Sequence, residues 1–533
     1  MRYGLAAIAM ALAAPAAADT RNVFLTELPP LAFEVGEKSI DELQTMLARG
    51  EATSAQLVQA YLERISRLDR SRPKLRSVIA LNPRAMEQAR KADRDRRLRI
   101  ARGPLFGIPV LVKDNIDTVE NATTAGSLAL RDNFTRRDAP LVARLRAAGA
   151  IILGKTNLSE WANIRDGDSM SGWSAVGGLV RNPYALDRSA CGSSSGTGAA
   201  IAASHAAVGV GTETDGSIVC PASMNGLVGL KPTVGAVSRT HVVPISSSQD
   251  TAGPMARSVR DAAALFAGMI GSDPADAATA EADAKRAALT PDWSKASLKG
   301  VRIGVLRPQM RAELAALYDA QLAVLRAAGA ELVDVKLAAP PELRGLEFRL
   351  LQMELKSDLA AYLATTPPAV KVRTLADVIA FNKGSAAELA YFGQSIFEMA
   401  EKTGGTADPA YAKTRDDSRR LAAETLDTIL TRNTLAILVA PTTGTAWLSD
   451  PVHGDQSSGP SASQLPAVAG YPHLTVPMGL LNGLPAGLSL IGPKWGDGRL
   501  LELGFAYEQA SRARVAPEFR GSVDAGPGIE GVR

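Results

Sequence analysis

The sequence predicts an α/β fold, a β-sheet covered by helices on both faces. Two patterns carry that expectation. Short apolar, β-rich runs alternate with stretches of helical periodicity. Strand-like runs then continue to residue 491 with no internal repeat, which points to one large domain over residues 19–514. The chain has 533 residues, of which 46% are hydrophobic and 21% charged. That is an ordinary globular composition with enough chain for a large core.

In chain order, Arg2 precedes an apolar run at residues 5–14, and Ala16-Ala17-Ala18 offers an A-x-A cleavage site before Asp19. Residues 1–18 therefore read as a secretory signal peptide, too short to span a bilayer. The alternative is an Ala-rich helix of the folded protein. No other stretch reaches the roughly 18 uninterrupted apolar residues of a membrane span, so the mature protein is expected to be soluble and exported, to the periplasm or beyond.

Thr53 can cap a helix whose apolar face is Leu57, Val58, Tyr61, Leu62, Ile65 and Leu68. The basic run at 91–102 reads as a solvated helix face. Residues 108–112 are strand-like, 138–148 form an amphipathic helix, and 151–153 are strand-like again. Later strand candidates are 301–306, 435–440 and 486–491. The Ala/Asp-rich stretch 271–299 is a surface excursion or a boundary between lobes. Residues 450–464, rich in Gly, Ser and Pro, form a long loop, either a lid or a mobile segment. The last stretch, 515–533, has no periodicity and reads as a flexible tail.

The net charge of +4 is spread along the chain and argues for neither nucleic-acid nor membrane-surface binding. Two cysteines, Cys191 and Cys220, exclude a disulfide framework by count. One bridge is chemically possible in an exported protein, but two small buried thiols are the expected state.

The chemistry lies between residues 190 and 230. One run is Cys191-Gly192-Ser193-Ser194-Ser195-Gly196-Thr197-Gly198, and a second is Gly211-Thr212-Glu213-Thr214-Asp215-Gly216-Ser217-Ile218. Glycine lets a backbone approach a ligand closely, and serine supplies a hydroxyl that can be activated. The bland reading is a Gly/Ser linker, although both runs abut apolar segments. A second reading is a nucleophile elbow, since Gly192 to Gly196 matches G-x-S-x-G. That needs a downstream histidine, from His241, His453 or His473. A third is activation by a neutral lysine, whose ordinary pKa of about 10.4 must then be lowered by burial. Lys113 follows the strand-like run 108–112, which would bury its stem; the alternative is a lysine snorkelling from a strand end to solvent.

Together these segments resemble the amidase signature family of hydrolases. The matching pieces are Gly107-Ile108-Pro109-Val110-Leu111-Val112-Lys113-Asp114, Gly154-Lys155-Thr156-Asn157, the two Gly/Ser runs, and Gly226-Leu227-Val228-Gly229-Leu230-Lys231-Pro232-Thr233. Asp250-Thr251-Ala252-Gly253-Pro254-Met255 and Pro441-Thr442 follow in the expected order, so the resemblance covers about 40–510. Thr212 to Pro221 and Trp161-Ala162-Asn163 look most like the bacterial peptide amidases, which remove the C-terminal amide of peptides.

The resemblance implies an amidase signature fold with a large, mixed, twisted β-sheet. It implies a nucleophile at Ser217, a bridging serine at Ser193 that precedes a cis peptide bond, and a base at Lys113. The two serines are 24 residues apart, the offset the family carries. Ser194 falls where a supporting hydrogen-bond partner is expected. The oxyanion hole falls on the backbone of Thr214, Asp215, Gly216 and Ser217. Asn163 would orient the substrate amide, and Trp161 would line the pocket or belong to the core. No cofactor or metal is implied, and the histidines show no ligand spacing.

Three residues depart from the common family pattern. Glu213, Asp215 and Val219 occupy the positions of an aspartate, a glycine and an arginine, so the family's acid–arginine contact is expected to be missing. Asp215 reads as a structural turn residue or as a carboxylate beside the oxyanion loop.

The leading function is thus an exported amidase that converts carboxamides, preferably C-terminally amidated peptides, to carboxylate and ammonia. Small aliphatic, aryl or fatty acid amides or esters are alternative substrates of the same triad, and an exported, non-catalytic binding protein is the alternative outside catalysis. Resemblance to the A subunit of glutaminyl-tRNA amidotransferase is set against the signal peptide. The partner expected is a small-molecule or peptide amide.

Overall fold

A computed structural model describes residues 33–100 and 103–524. The signal-peptide reading at 1–18 and the last part of the tail, 525–533, lie outside these. Among the described residues one mixed sheet of 11 strands runs through the molecule. In chain order the strands are β1 (Val78–Leu81), β2 (Pro109–Lys113), β3 (Ile151–Thr156), β4 (Val208–Glu213), β5 (Val228–Lys231), β6 (Thr251–Ala256), β7 (Arg302–Val305), β8 (Glu331–Asp334), β9 (Ile437–Pro441), β10 (His473–Leu481) and β11 (Leu484–Ile491). Their order across the sheet is β1-β3-β2-β4-β6-β5-β10-β11-β9-β7-β8.

Two parallel patches, β3-β2-β4 and β9-β7-β8, flank an antiparallel centre. Every residue of β2, β3, β4, β6, β9 and β11 is buried. Side chains alternate between the faces of a strand, so unbroken burial means that both faces are covered. The covering helices include Ser54–Arg64, Pro140–Ala147, Ser195–Ala202, Val259–Ala267, Leu343–Leu363 and Asp497–Ser511.

The elements expected at 108–112, 138–148, 151–153, 301–306, 435–440 and 486–491 are all present. Thr53 caps its helix and forms a capping box with Gln56. Leu57, Val58, Tyr61 and Ile65 are buried, and the chain winds on through a π-helical turn, Ile65–Ser71, that includes Leu68. The basic run belongs largely to the helix Ala85–Arg97, whose buried face is Ala85, Met86, Ala89 and Ala92.

Several strands escape a sequence reading. β4 reads Val-Gly-Val-Gly-Thr-Glu, with glycines and a glutamate where alternation would demand side chains. Its Gly211 lies so close to the Ser194 loop that a Cβ there would sit 2.9 Å from Ser194 Oγ. The strand is glycine-rich because the serine loop packs directly on it.

Residues 271–299 contain short helical turns at Ala277–Thr279, Arg286–Leu289 and Trp293–Lys295. They form a surface excursion and not a lobe boundary, because β6 and β7 on either side share one sheet. The expected flexible tail is corrected as far as residue 524. Leu186 N–H donates to the Arg520 carbonyl at 2.9 Å, Phe519 N–H donates to Pro183 at 2.9 Å, and the Tyr184 hydroxyl donates to the Val515 carbonyl. These bonds supply the backbone partners that an aperiodic sequence does not advertise.

Candidate active site

β2 delivers Lys113 as its last residue, in parallel register with β4, where Val112 faces Val210. That register sets the lysine amine beside Thr212. From the opposite side come Ser193 and Ser194, which immediately precede the helix Ser195–Ala202. The Gly192–Ser193 peptide is cis. The cis bond therefore precedes Ser193, a correction to the expectation that Ser193 precedes it. The peptide N–H that follows Ser193 is spent otherwise: Ser194 N–H donates to the Ser217 carbonyl at 3.2 Å, which ties the two Gly/Ser runs together.

The Lys113 amine is fully buried and surrounded by oxygen. Nζ lies 2.8 Å from Ser193 Oγ, 3.0 Å from Ser194 Oγ, 2.8 Å from Thr212 Oγ1 and 3.3 Å from the Thr212 carbonyl. Asn115 Nδ2 holds Thr212 Oγ1 from behind at 2.9 Å. Burial lowers the Lys113 pKa from 10.5 to about 7, against the opposing pull of Asp250 and Glu213. Such a displacement disfavours the ammonium by roughly 5 kcal/mol. A neutral amine has two N–H groups and one lone pair. The N–H groups can go to Ser194 and Thr212, which leaves the lone pair for the Ser193 hydroxyl.

The Ser194 hydroxyl is fully engaged inside the protein. It donates to the Thr212 carbonyl at 3.0 Å and accepts from Thr212 N–H at 3.2 Å and from Lys113. It is fully buried, so all its hydrogen-bonding capacity is used inside the protein. This removes the elbow reading, in which Ser194 would attack with a histidine. His473 is buried against Ser489, its pKa lowered by burial to about 3. His453 is exposed and pairs with Asp450. Among the described residues His241 makes no hydrogen bond to the serine run, and burial lowers its pKa as well.

Ser217 sits in the loop between β4 and the helix Val219–Met224 and is half-buried. Its hydroxyl makes no hydrogen bond among the described residues, so the structure joins Ser193 to Lys113 directly but joins Ser217 to them only through the backbone. Gly216 adopts φ +81°, a left-handed conformation that glycine takes without steric cost. The N–H groups of Thr214, Asp215, Gly216 and Ser217 have no protein acceptor among the described residues. Backbone N–H groups without a protein acceptor can stabilise an oxyanion where they point to it.

The three departures from the family pattern now have locations. Glu213 turns its carboxylate back into the loop, where Oε2 accepts from Ile218 N–H at 2.7 Å and Val219 N–H at 3.0 Å. It fastens the start of the helix Val219–Met224 with backbone groups and, electrostatically, with the buried Lys231. Val219 makes no such contact through its side chain, and no acid–arginine pair forms there among the described residues. Asp215 is more than a turn residue, for it lines a pocket of about 230 Å³ and its buried Oδ1 has no hydrogen-bond partner among the described residues. Burial raises the pKa of both carboxyls.

The pocket is also lined by Asn163, Ser171, Gly192, Trp447 and Asp455. Trp161, Ala162 and Asn163 all have left-handed φ angles, 50°, 54° and 71°. This conformation takes Trp161 into the core against Phe397, at 5.9 Å between rings, while Asn163 reaches the pocket with its Oδ1 unpartnered. The loop is anchored by Arg165, buried between Glu160 and Glu388 and stacked 4.0 Å over Phe392. Asp455, from the 450–464 loop, accepts from Ser171 N–H at 3.1 Å and from Trp447 Nε1 at 2.9 Å. The long loop is thus a fixed wall of the pocket at this point.

Cys191 and Cys220 are bonded to each other, with Cα atoms 6.0 Å apart. The expectation of two thiols is corrected. The two cysteines flank the serine runs that Ser194 N–H and the Ser217 carbonyl already hold together, and that proximity lets them meet. Sequence reasoning missed Thr212, Asn115 and Asp250 as parts of the site. Their signal was position, since each lies within a quoted segment or next to it. Among the described residues no cluster of His, Cys, Asp and Glu is placed to hold a metal ion, and no helix is long and apolar enough to cross a membrane.

With this geometry in place, comparison with known proteins is informative. The family profile described as Amidase matches residues 56–501. The crystal structure of the native peptide amidase from Stenotrophomonas maltophilia superposes with a TM-score of 0.86 at 49% identity, covering 92% of this chain and 100% of that one. A peptide amidase in complex with the competitive inhibitor chymostatin gives 0.87 at 50% identity, covering 91% and 100%. An Arabidopsis thaliana protein named "Probable amidase" is 38% identical over 501 residues, 91% of this chain and 92% of that one.

The burial of Lys113 has a direct test. In protein with isotopically labelled lysine, NMR should show a side chain that loses its proton near pH 7, below the buried Lys231 near pH 8, and absent in Lys113→Met. A Lys113 titration near 10.5 would contradict the buried, neutral amine.

Proposed function

Since the chain belongs to the amidase family and is a hydrolase of amide C–N bonds, we propose that it removes the C-terminal amide of peptides through a Ser217–Ser193–Lys113 triad. The observation that carries the reading is the buried Lys113 amine 2.8 Å from Ser193 Oγ, on a serine run tied by the backbone to Ser217. Ser217 Oγ attacks the carboxamide carbon, and the C=O π pair moves to oxygen. The Ser217 proton passes to Ser193, whose own proton passes to Lys113. The hydrogen bond from Ser217 to Ser193 forms as substrate settles, as catalytic hydrogen bonds often tighten only in the Michaelis complex.

The oxyanion is received by backbone N–H groups of residues 214–217, each of which can contribute about 3 kcal/mol. Collapse of the tetrahedral species breaks the C–N bond, and the proton held by Lys113 returns through Ser193 to the departing nitrogen, giving ammonia. Water then takes the place of the amine, is deprotonated by the same relay and frees the carboxylate.

Two features favour a peptide amide. The likeness to peptide amidases is close over nearly the whole chain. The pocket of about 230 Å³, with Asn163 and Asp215 in its lining, has room for one chain end. Asn163, with its free Oδ1, is the residue to receive the amide N–H groups. Residues 1–18 are proposed to direct export.

A panel of amidated dipeptides and tripeptides beside simple aliphatic and aryl amides, scored for ammonia, should show the higher kcat/KM on the peptides. Equal or better rates on simple amides would remove the peptide assignment. On the same panel Ser217→Ala should release no ammonia above background, and full turnover by this variant would move the nucleophile elsewhere. For export, the N-terminus of protein secreted by its native host should begin at Asp19; an intact Met1 on mature protein would overturn that part.

A further inference from the structure

The oxyanion loop is held from a place that no sequence motif marks. The helix Leu343–Leu363 presents Glu347, Glu354 and Asp358 to the turn at 245–250. Their spacings of seven and four residues put them on one helical face. Asp358 accepts from Ser247 N–H at 2.7 Å. Glu354 accepts from Ser248 N–H at 3.1 Å and from the Ser246 hydroxyl. The turn so fastened carries Asp250, whose carboxylate accepts from Ile245 N–H, Ser246 N–H and, at 2.5 Å, the Thr214 hydroxyl.

Glu347 reaches furthest toward the chemistry. It is 5% exposed. One carboxylate oxygen accepts from Gln249 Nε2 at 3.0 Å, and the same Nε2 donates to the Thr214 carbonyl at 3.3 Å. The other oxygen accepts from Gln464 Nε2 at 2.8 Å. Gln464 follows Ser463, a neighbour of both Asp215 and Gly216. One carboxylate thus grips the loop on two sides: through Gln249 at Thr214, and through the 463–464 segment beside Asp215 and Gly216.

We infer that Glu347 is a positioning residue for the oxyanion loop, setting the direction of the N–H groups at residues 214–217 through Gln249 and Gln464. The inference rests on the assignment of that loop and of Ser217 made above. An amide in place of the carboxylate keeps the shape but offers one acceptor and presents an NH2 to one of the two glutamine donors. One of the two grips is then lost unless Gln464 turns its amide over to accept from the new NH2, whereas alanine removes both. Misplacement of catalytic groups by an ångström or less costs rate on the order of a hundredfold, and the cost falls on transition-state and not on substrate binding.

The test compares wild type, Glu347→Gln, Glu347→Ala and Glu347→Asp on an amidated dipeptide and on the matching dipeptide aldehyde. The aldehyde forms a tetrahedral adduct with the nucleophile and so reports on oxyanion stabilisation. Glu347→Gln and Glu347→Ala should lose roughly tenfold to a hundredfold in kcat with KM little changed, and aldehyde affinity should fall in parallel. Glu347→Asp should recover part of both. Wild-type kcat and aldehyde affinity in Glu347→Gln would overturn the inference, as would a loss confined to KM. If Glu347→Ala fails to fold, as thermal unfolding would reveal, the isosteric Gln variant and the shorter Asp variant decide. Ser217→Ala is run alongside. If it retains turnover, the assignment of the nucleophile fails; if it is inactive while Glu347→Gln is normal, only the positioning role fails.

Discussion

The lysine amine at the end of β2 is sealed from solvent, and the site is arranged around that constraint. Lys113 Nζ meets only Ser193, Ser194 and Thr212, and burial brings its pKa to about 7. If the amine were charged, three hydroxyls and a carbonyl would be poor compensation for lost hydration. In the proposed triad the neutral amine takes a hydroxyl proton at its lone pair, and Ser193 Oγ lies 2.8 Å from it. The carboxyls of Asp250 and Glu213 pull the other way, toward the ammonium, but burial raises their own pKa values and weakens that pull. The nearby ion pair of Lys155 and Asp114 closes on itself at 2.9 Å, both members buried. Among the described residues Lys113, like the buried Lys231, has no carboxylate within ion-pair distance.

Around this amine the same economy recurs. Ser194 is saturated and serves as a strut. Glu213 is turned inward to backbone N–H groups of the nucleophile loop. The disulfide Cys191–Cys220 joins the two serine runs already linked by Ser194 and Ser217. What lines the pocket is Asn163, Asp215 and Gly216, with Ser217 next in the chain. The long helix at 343–363 adds a remote brace, through which the turn at 245–250 and the segment at 463–464 reach the same loop.

Much of this was legible in the chain itself. The strands with continuous apolar runs, such as β2 and β3, announced themselves, and so did the Thr53 capping box. Lys113, Ser193, Ser194 and Ser217 were named together because the resemblance orders them; their residue types alone left a linker and a histidine-dependent elbow open. Structure closed the elbow by showing Ser194 fully bonded. What stayed hidden depends on distance in sequence. β4 lacks alternation because glycines admit the serine loop. The side of Ser193 on which the cis bond lies, and the pairing of two cysteines 29 residues apart, follow from how loops converge and not from composition. Glu347 is an ordinary glutamate on an unmarked helix, and only the fold brings it beneath the loop at 214–217.

The central claim is that Ser217, and no other hydroxyl of the two runs, receives the acyl group. Reaction of the active enzyme with an irreversible phosphonate analogue of an amidated dipeptide, followed by peptide mapping by mass spectrometry, tests it most directly. The account predicts a single stoichiometric adduct on Ser217, its formation abolished in Lys113→Met. An adduct on Ser193, Ser194 or Ser195, or undiminished labelling of Ser217 without the lysine, would contradict it.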